Sequence, residues 1–412
     1  MRSVSVWARV LGVAETVVEG VDMEPGGAVV VRVRPRRGER RRCGVCGRRC
    51  RGYDSGEGRR RWRALDLGST LAYLEAEAPR VSCKDHGVVV ARVPWARHGA
   101  GFTKSFEEQA AWLATRCAKS AVAELMRVAW RTVGRIITRV VAEREQERDL
   151  LDGLRRIGID EISYRRGQRY LIVVVDHDTG RLVWAANGRD EATLRRFFEA
   201  LGKERCAQIT HVSADAASWI SNVVAKHCQN AVRCMDPFHV IAWATDALDE
   251  VRRQVWNAAR DQGQHAQAKD LKGARFALWK NPQDLTRNQQ ARLSWIQNTN
   301  RPLYRAYLLK EQLRQVFQLP YAEALDLLKQ WVDWALRSRL PAFVDVAYKI
   351  ADQIDAIIAS LEHRLSNALV ESVNTRIRLI TRRSFGFHSP RPLIALAMLS
   401  LGGLCPPLPG RS

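Results

Sequence analysis

The chain has 412 residues, of which 46% are apolar, and a net charge of +22. That length predicts two to four domains, the apolar content excludes general disorder, and the charge favours a polyanionic partner through counterion release. No apolar run reaches the roughly 18 residues of a membrane helix, and an N-terminus that mixes Val, Trp and Leu with Arg9, Glu15 and Glu19 lacks the unbroken apolar core of a secretion signal.

Residues 1–100 carry short β-like runs at Ala28–Val33, Thr70–Ala76 and Gly87–Val93 between Gly- and Arg-rich turns. Arg32–Arg63 holds 14 Arg against Glu39, Asp54 and Glu57, half of the chain's net charge. Nine cysteines without a secretion signal predict reduced thiols or metal ligands. Cys43 and Cys46 form one close pair, and Cys83 and His86 a second. Two such pairs predict a closed, tetrahedral structural zinc site that contributes folding energy to a segment with little apolar area. Cys50 is the rival to His86 as fourth ligand. The remaining cysteines, Cys117, Cys206, Cys228, Cys234 and Cys405, lie in or beside apolar runs and read as core.

Residues 101–150 change to helical spacing. Ser120–Arg127, a tight turn and a second helix from Trp130 read as a helix-turn-helix. Val133, Ile136, Ile137 and Val140 turn inward. Arg131, Thr132, Arg135 and Arg139 form the face expected to meet double-stranded DNA.

From residue 151 strands return. Ile157–Ser163, Tyr170–Asp176 and Leu182–Asn187 read as consecutive strands, the last two as a hairpin across the turn His177–Gly180. Asp190–Leu201 is helical, Ile209–Asp215 a strand, Ala217–Gln229 a helix and Ala231–Asp236 a strand. The order β-β-β-α-β-α-β puts a hairpin at one edge and parallel crossovers after it. Residues 239–363 read as helix, broken at Pro282, Pro302, Pro320 and Pro341. They form an all-α insertion, which interrupts an α/β core of 151–238 and 364–400. Residues 401–412 read as a loose tail. The six insertion tryptophans, Trp243, Trp256, Trp279, Trp295, Trp331 and Trp334, read mostly as core filling.

Three carboxylates stand in otherwise apolar runs, where an isolated charge is costly. Asp160 lies on the first strand of this core, opposite in face to Ile157 and Ile159. Asp215 ends the fourth. Glu371 lies 156 residues later on a helix over Leu365–Ile380. Two strand-borne Asp and one helix-borne Glu suit a site holding two Mg²⁺ (or Mn²⁺) for phosphodiester chemistry. Asp176 and Asp178 read as turn residues, and Glu161 points away from Asp160. Asp236 and His239 stand at a strand-to-helix junction, where Asp236 either caps the helix or supports the site. Asn367, Glu371, Asn374 and Arg378 form one polar stripe. With Arg382 and Arg383 it predicts a face for metal-bound DNA.

The segments CGVCGRRCRGYD, CKDHGVVVARVPWAR, SAVAELMRVAWRTVGRIITRV, IGIDEIS, VSADAA, MDPFHV and SNALVESVNTRIRLITRRSFGF span residues 43–387. In this order they resemble bacterial insertion-sequence transposases of the ISL-three type, of the DDE class with a ribonuclease-H-like core. The resemblance implies that Asp160, Asp215 and Glu371 are the catalytic triad. It also implies that Cys43, Cys46, Cys83 and His86 bind zinc, and that Asp236 and His239 match a motif following the second Asp. It further implies recognition of terminal inverted repeats, Mg²⁺-dependent strand cleavage and transfer, at least a dimer on two DNA ends, and a cytoplasmic, nucleoid-associated protein. The wording SVN and TRIR after the Glu departs from the usual pattern without removing the acid. The alternatives are a zinc/helix-turn-helix regulator with a decayed nuclease core and a repair nuclease of the same core class.

Overall fold

The computed structural model describes residues 3–165, 167 and 169–411. The chain divides into two compact units, Met1–Asp149 with Ile380–Ser412, and Leu150–Leu379.

The first unit begins with α1 (Ser3–Val10), β1 (Thr16–Met23), β2 (Val29–Pro35), β3 (Arg51–Asp54), β4 (Arg59–Arg63), β5 (Ala72–Glu77), β6 (Arg80–Cys83) and β7 (Gly87–Val90). They form a four-stranded sheet of order β1-β2-β5-β4 and a three-stranded sheet of order β3-β6-β7. β5 alternates in burial, with Ala72, Leu74 and Ala76 inward. The core includes Val18, Val31, Val33, Trp62, Leu74 and Trp95, and the two indoles meet edge to face. β4 escapes a pattern-based reading because its sequence is Arg-Arg-Arg-Trp-Arg. Cross-strand acids make it a strand. Arg59 pairs with Glu75 and Glu77, and Arg61 with Glu24 and Glu75.

α2 (Lys104–Arg116), α3 (Lys119–Leu125) and α4 (Trp130–Glu147) follow. Thr103 caps α2 by accepting from the Phe106 amide. The α3–α4 turn passes through Arg127 in the left-handed region. α4 buries Val133, Ile136, Ile137 and Val140, the apolar face predicted for a second helix of a helix-turn-helix. A buried ion cluster ties the segment after β7 to both helices. The Arg97 guanidinium, 3% exposed, contacts Glu107, Glu108 and Glu143, and Arg139 also pairs with Glu107, which is 0% exposed. Burial pushes the Glu107 carboxyl up, against the pull of Arg139 and Arg97.

The second unit is built on a five-stranded sheet. β8 (Arg156–Arg165), β9 (Arg169–Asp176) and β10 (Leu182–Asn187) form an antiparallel meander, and β11 (His211–Ala214) and β12 (Val232–Met235) add parallel strands in the order β10-β9-β8-β11-β12. The β-β-β-α-β-α-β reading is therefore the observed order, with strand ends shifted by one or two residues. α5 (Glu191–Leu201), α6 (Lys203–Cys206) and α7 (Ser218–His227) accompany it. One face packs Ile157, Ile159, Ile172 and Val174 against Leu194, Phe197 and Val223.

From Pro237 to His363 every regular element is helical. The α-helices are α8 (Pro237–Asp261), α9 (His265–Gly273), α10 (Arg275–Trp279), α11 (Arg287–Thr299), α12 (Arg301–Val316), α13 (Tyr321–Arg337), α14 (Pro341–Asp352) and α15 (Ile354–His363). Pro302 and Pro341 enter first turns and Pro320 is an N-cap, where a missing amide is harmless. One apolar core runs through this block. Trp331 is fully buried and donates to the Leu309 carbonyl at 2.7 Å, while the other five tryptophans pack partly buried against the core. α16 (Ala368–Arg383) then returns over the other face of the sheet. A Cβ on Gly158 would stand 2.4 Å from Val370 Cγ2, so only glycine admits this close approach of helix to strand.

The chain after residue 380 departs from the expected boundary. α17 (Pro390–Leu401) belongs to the first unit, packing Leu393, Leu396 and Leu399 in contact with α4 and α2 rather than extending the sheet-based core. Nor are residues 401–412 a loose tail throughout. Leu404 is buried, Cys405 Sγ lies 3.8 Å from the Thr115 hydroxyl, and Arg148 donates to the Gly403 carbonyl. Arg97→Met is expected to lower unfolding free energy by about 2–3 kcal/mol, because it leaves the buried Glu107 carboxylate with Arg139 as its one cation and takes the guanidinium from Glu108 and Glu143; urea denaturation followed by circular dichroism measures it.

Candidate active site and metal centre

β11 runs parallel to β8, with Ser213 opposite Gly158, and beside β12, with Ala214 opposite Met235. Carried one or two residues on, these registers bring Asp160, Asp215 and Asp236 level across three neighbouring strands. Asp215 and Asp236 stand just beyond the carboxyl ends of β11 and β12, where open α/β sheets place their ligands, and Asp160 lies level with them inside β8.

Asp160 Oδ1 accepts from the Glu161 amide at 2.7 Å, and Oδ2 accepts from Asn374 Nδ2 at 2.7 Å. Burial pushes the Asp160 carboxyl up to about 6; the Glu161 amide and His239 oppose this, and nearby Asp215 and Asp236 reinforce it. Asp215 turns the chain after β11 by accepting from the Ala217 amide at 3.0 Å. Glu161 lies on the opposite face, as expected, and pairs with Arg189. Asp176 is a turn residue that accepts from the Asp178 amide and the Thr179 hydroxyl.

Asp236 sits at the N-cap position of α8 without capping it through its side chain. At 2% exposure, its Oδ2 lies 2.9 Å from His239 Nδ1 and its Oδ1 accepts from the Asn367 amide at 3.2 Å. The hydrogen bond to Asp236 pushes His239 up. The capping alternative thus gives way to a network that enters the site.

Asn367 is its hub. Oδ1 accepts from the Ser213 hydroxyl, Nδ2 donates to the Ile159 carbonyl at 3.3 Å, and His177 Nε2 lies 2.8 Å from Ser213 Oγ. One buried amide therefore grips the residue before Asp160, the strand leading to Asp215, and Asp236. Its carbonyl accepts from the Glu371 amide at 2.8 Å in the first turn of α16. Glu371 is exposed, midway between Asn367 and Asn374. The predicted polar stripe is thus split: Asn367 and Asn374 are each 1% exposed, whereas Glu371 and Arg378 face solvent.

That split corrects one DNA-contact assignment, since Asn374 is buried against Asp160. Two further assignments fail on α4, where Thr132 is buried and Arg139 is committed to Glu107. Arg131 and Arg135 are exposed there, as is Arg382 near the end of α16. Arg383 is half-buried and donates to the Ala114 carbonyl. Sequence reasoning placed Asn367 on a DNA-facing stripe rather than in a buried hub, and it missed Ser213 and His177 as working groups. The Ser-Asn pair opening the Glu371 helix was visible, but only strand register reveals what it reaches.

The surroundings of the carboxylates suit a cation. Asn374 Oδ1 is buried beside Asp160 without a hydrogen-bond partner, which leaves a hard oxygen next to the acid row. Carboxylates and an amide oxygen fit magnesium or manganese rather than softer ions.

The cysteine–histidine cluster is formed by two turns. Cys43 to Gly47 closes one, with the Val45 amide donating to Cys43 Sγ. Cys83 to His86 links β6 to β7, and Gly87 follows at φ +65°. The ligand atoms of Cys43, Cys46, Cys83 and His86 all lie within 4.8 Å of one another. A tetrahedral zinc with usual bond lengths requires about 3.8 Å between sulfurs and about 3.6 Å between sulfur and nitrogen. Cys46 and Cys83 sulfurs are 3.8 Å apart, and His86 Nδ1 is 3.6 Å from Cys83 and 3.8 Å from Cys43. Hydrogen bonding to His86 pulls Cys83 down to about 6. Cys50 stands outside the four and donates to the Arg48 carbonyl.

Comparison with known proteins agrees with this layout. A family model described as "Transposase", of the ISL3 DDE type, matches residues 157–397. "Helix-turn-helix domain of transposase family ISL3" matches 91–141, and "zinc-finger of transposase IS204/IS1001/IS1096/IS1165" matches 39–86. The "Transposase for insertion sequence element IS1557" of Mycobacterium tuberculosis is 55% identical over 436 residues, covering 100% of this chain and 98% of that protein. This chain belongs to the ISL3 transposase family. The "Transposase for insertion sequence element IS1001" of Bordetella parapertussis is 27% identical over 350 residues, covering 84% and 85% of the two chains. The ISL3-family chain is thus a DNA transposase, with zinc-finger, helix-turn-helix and transposase segments in that order. Among the described residues, no helix is long and apolar enough to cross a membrane.

Within this ISL3 transposase, Asn367→Ala is expected to destabilise by about 1–3 kcal/mol by removing the acceptor of the Ser213 hydroxyl and the side-chain donor to the Ile159 carbonyl. Asn367→Asp should do no better, because it adds a charge beside Asp236. Thermal and urea unfolding of the full chain reads both.

Proposed function

We propose that this transposase binds the terminal inverted repeats of its own insertion sequence and carries out divalent-metal-dependent strand cleavage and strand transfer at a site made of Asp160, Asp215 and Glu371. The observation that carries this reading is the level register of Asp160 and Asp215, with the Glu371 helix fastened to Asp160 through Asn374. The sheet order and the returning α16 support a ribonuclease-H-like core of which residues 239–363 are an all-α insertion. Asp160, Asp215 and Glu371 would hold the magnesium ions. Bound there, they supply activation of the attacking oxygen and charge stabilisation at the leaving one. The chain's own contribution is orientation. Asn374 fixes one Asp160 oxygen and the Glu161 amide the other. Asp236 and Asn367 hold the start of α16, and Asp236 orients His239 beside the acids through its Nδ1. Water acts first at each transposon end, and the freed 3′-OH then attacks target DNA.

Cys43, Cys46, Cys83 and His86 hold structural zinc in this reading, and Arg131, Arg135, Arg378 and Arg382 meet DNA. Two transposon ends call for at least a dimer, and the substrate for a cytoplasmic, nucleoid-associated enzyme.

Strand transfer by the full chain, with duplexes carrying the element's ends and Mg²⁺, is the deciding assay. Asp160→Asn, Asp215→Asn and Glu371→Gln are each expected to lower the rate by about 10³-fold or more while leaving end binding intact, the loss of several kcal/mol of charge stabilisation. Undiminished transfer by Glu371→Gln would remove that residue from the site. Metal analysis is expected to find one zinc per chain, lost in Cys83→Ser and Cys46→Ser but kept in Cys50→Ser.

A further inference from the structure

α4 and the turn leading into α17 enclose a cleft of about 750 Å³ within the first unit. Lys119, Trp130, Arg131 and Arg135 line one wall, and His388 and Arg391 the other; no carboxylate lines it among the described residues. The charge there is unbalanced in an unusual way. Lys119 is only 4% exposed, and its ammonium has no hydrogen-bond or ion-pair partner among the described residues. It stands 3.4 Å from the centroid of the Trp130 ring. Burial pulls it down to about 8.

The fold has made room for this ammonium. A Cβ on Gly134 would come within 2.8 Å of Lys119 Nζ. Glycine inside a helix costs roughly 1 kcal/mol against alanine, so the space is held at the expense of α4 itself. α4 adds its own field. It is 18 residues long, its N-cap Ala129 has no side-chain acceptor, and its first-turn residues Trp130 and Arg131 line the cleft. Such an end favours negative charge. Of the other guanidiniums, Arg139 is neutralised by Glu107, whereas Arg131 and Arg391 are exposed and have no acid beside them in the cleft.

We propose that this cleft is a phosphate-binding site that seats one phosphodiester of the DNA backbone between Lys119 and Arg391, so that the start of α17 is part of the DNA-binding surface. The proposal rests on the reading that this unit binds DNA, and it adds a C-terminal wall to the helix-turn-helix. A backbone phosphate positions a protein on the duplex without reading sequence. The site therefore sets affinity and register rather than choice of end.

The test uses the full chain with Lys119→Met, Arg391→Gln and the double variant. Methionine keeps the aliphatic contact with Trp130 and Gly134. Arg391 is exposed, so Arg391→Gln reports even if Lys119→Met folds poorly. Binding to end DNA and to an unrelated duplex is measured across a salt series. The double variant is expected to weaken both by the same factor and to flatten the slope of log affinity against log salt by about 1. Wild-type slopes and affinities in Arg391→Gln and the double variant would overturn the proposal. Inorganic phosphate that stabilises the parent chain and not the double variant, with duplex binding unchanged, would overturn the DNA assignment in favour of a free phosphate. If the parent chain fails to prefer its end DNA, the inverted-repeat reading fails by itself, and the unrelated duplex still decides on the cleft.

Discussion

The candidate site depends on one buried amide. Without Asn367, strand register would still bring Asp160, Asp215 and Asp236 level, but nothing polar would fasten the start of α16 to that row. Its side chain links two strands, its backbone amide meets Asp236, and its carbonyl begins the helix turn that carries Glu371. Gly158 makes the same junction possible sterically, by letting Val370 reach the sheet. Helix and sheet thus meet through a polar latch and a missing side chain. Both concern where carboxylates point, and neither adds much apolar area.

Charge needs similar care. The Arg-rich stretch of the first unit looks like a polyanion surface when it is counted along the chain. In the fold much of it is answered by acids from outside the stretch. Arg32 pairs with Asp22, Arg34 with Glu19, Arg36 with Glu15, Arg48 with Asp85, Arg63 with Asp66, and Arg59 and Arg61 with Glu75. Apart from Arg63 with Asp66, these pairs are at least half exposed at the arginine or close to it and contribute little stability each, yet all of them cancel field. Further cations without an acid beside them lie at the starts of α4 and α17, at Arg131 and Arg391.

Much of this was legible in the sequence, and the reasons are physical. β8 to β12 could be read because their apolar runs are long and their turns carry Gly and Asp. The cysteine–histidine cluster could be read because close spacing of thiols is hard to explain otherwise. The three acids stood out against apolar neighbours. What could not be read depends on pairing between distant segments. β4 is a strand only because Glu75 and Glu77 lie opposite its arginines. Asn374 and Arg139 look like surface groups in a helical wheel, and their partners Asp160 and Glu107 are 214 and 32 residues away. The return of α17 to α2 and α4 has no local signal at all, because an apolar helix packs equally well on any apolar face.

That return has a consequence for how the protein comes into being. The helices α2 and α4 pack on each other, but their contact with α17 must wait until residues 390–404 have left the ribosome, long after their own synthesis. A chain stopped early would hold an unfinished reading head. The order of translation thus completes the first unit only after the whole of the second has been made.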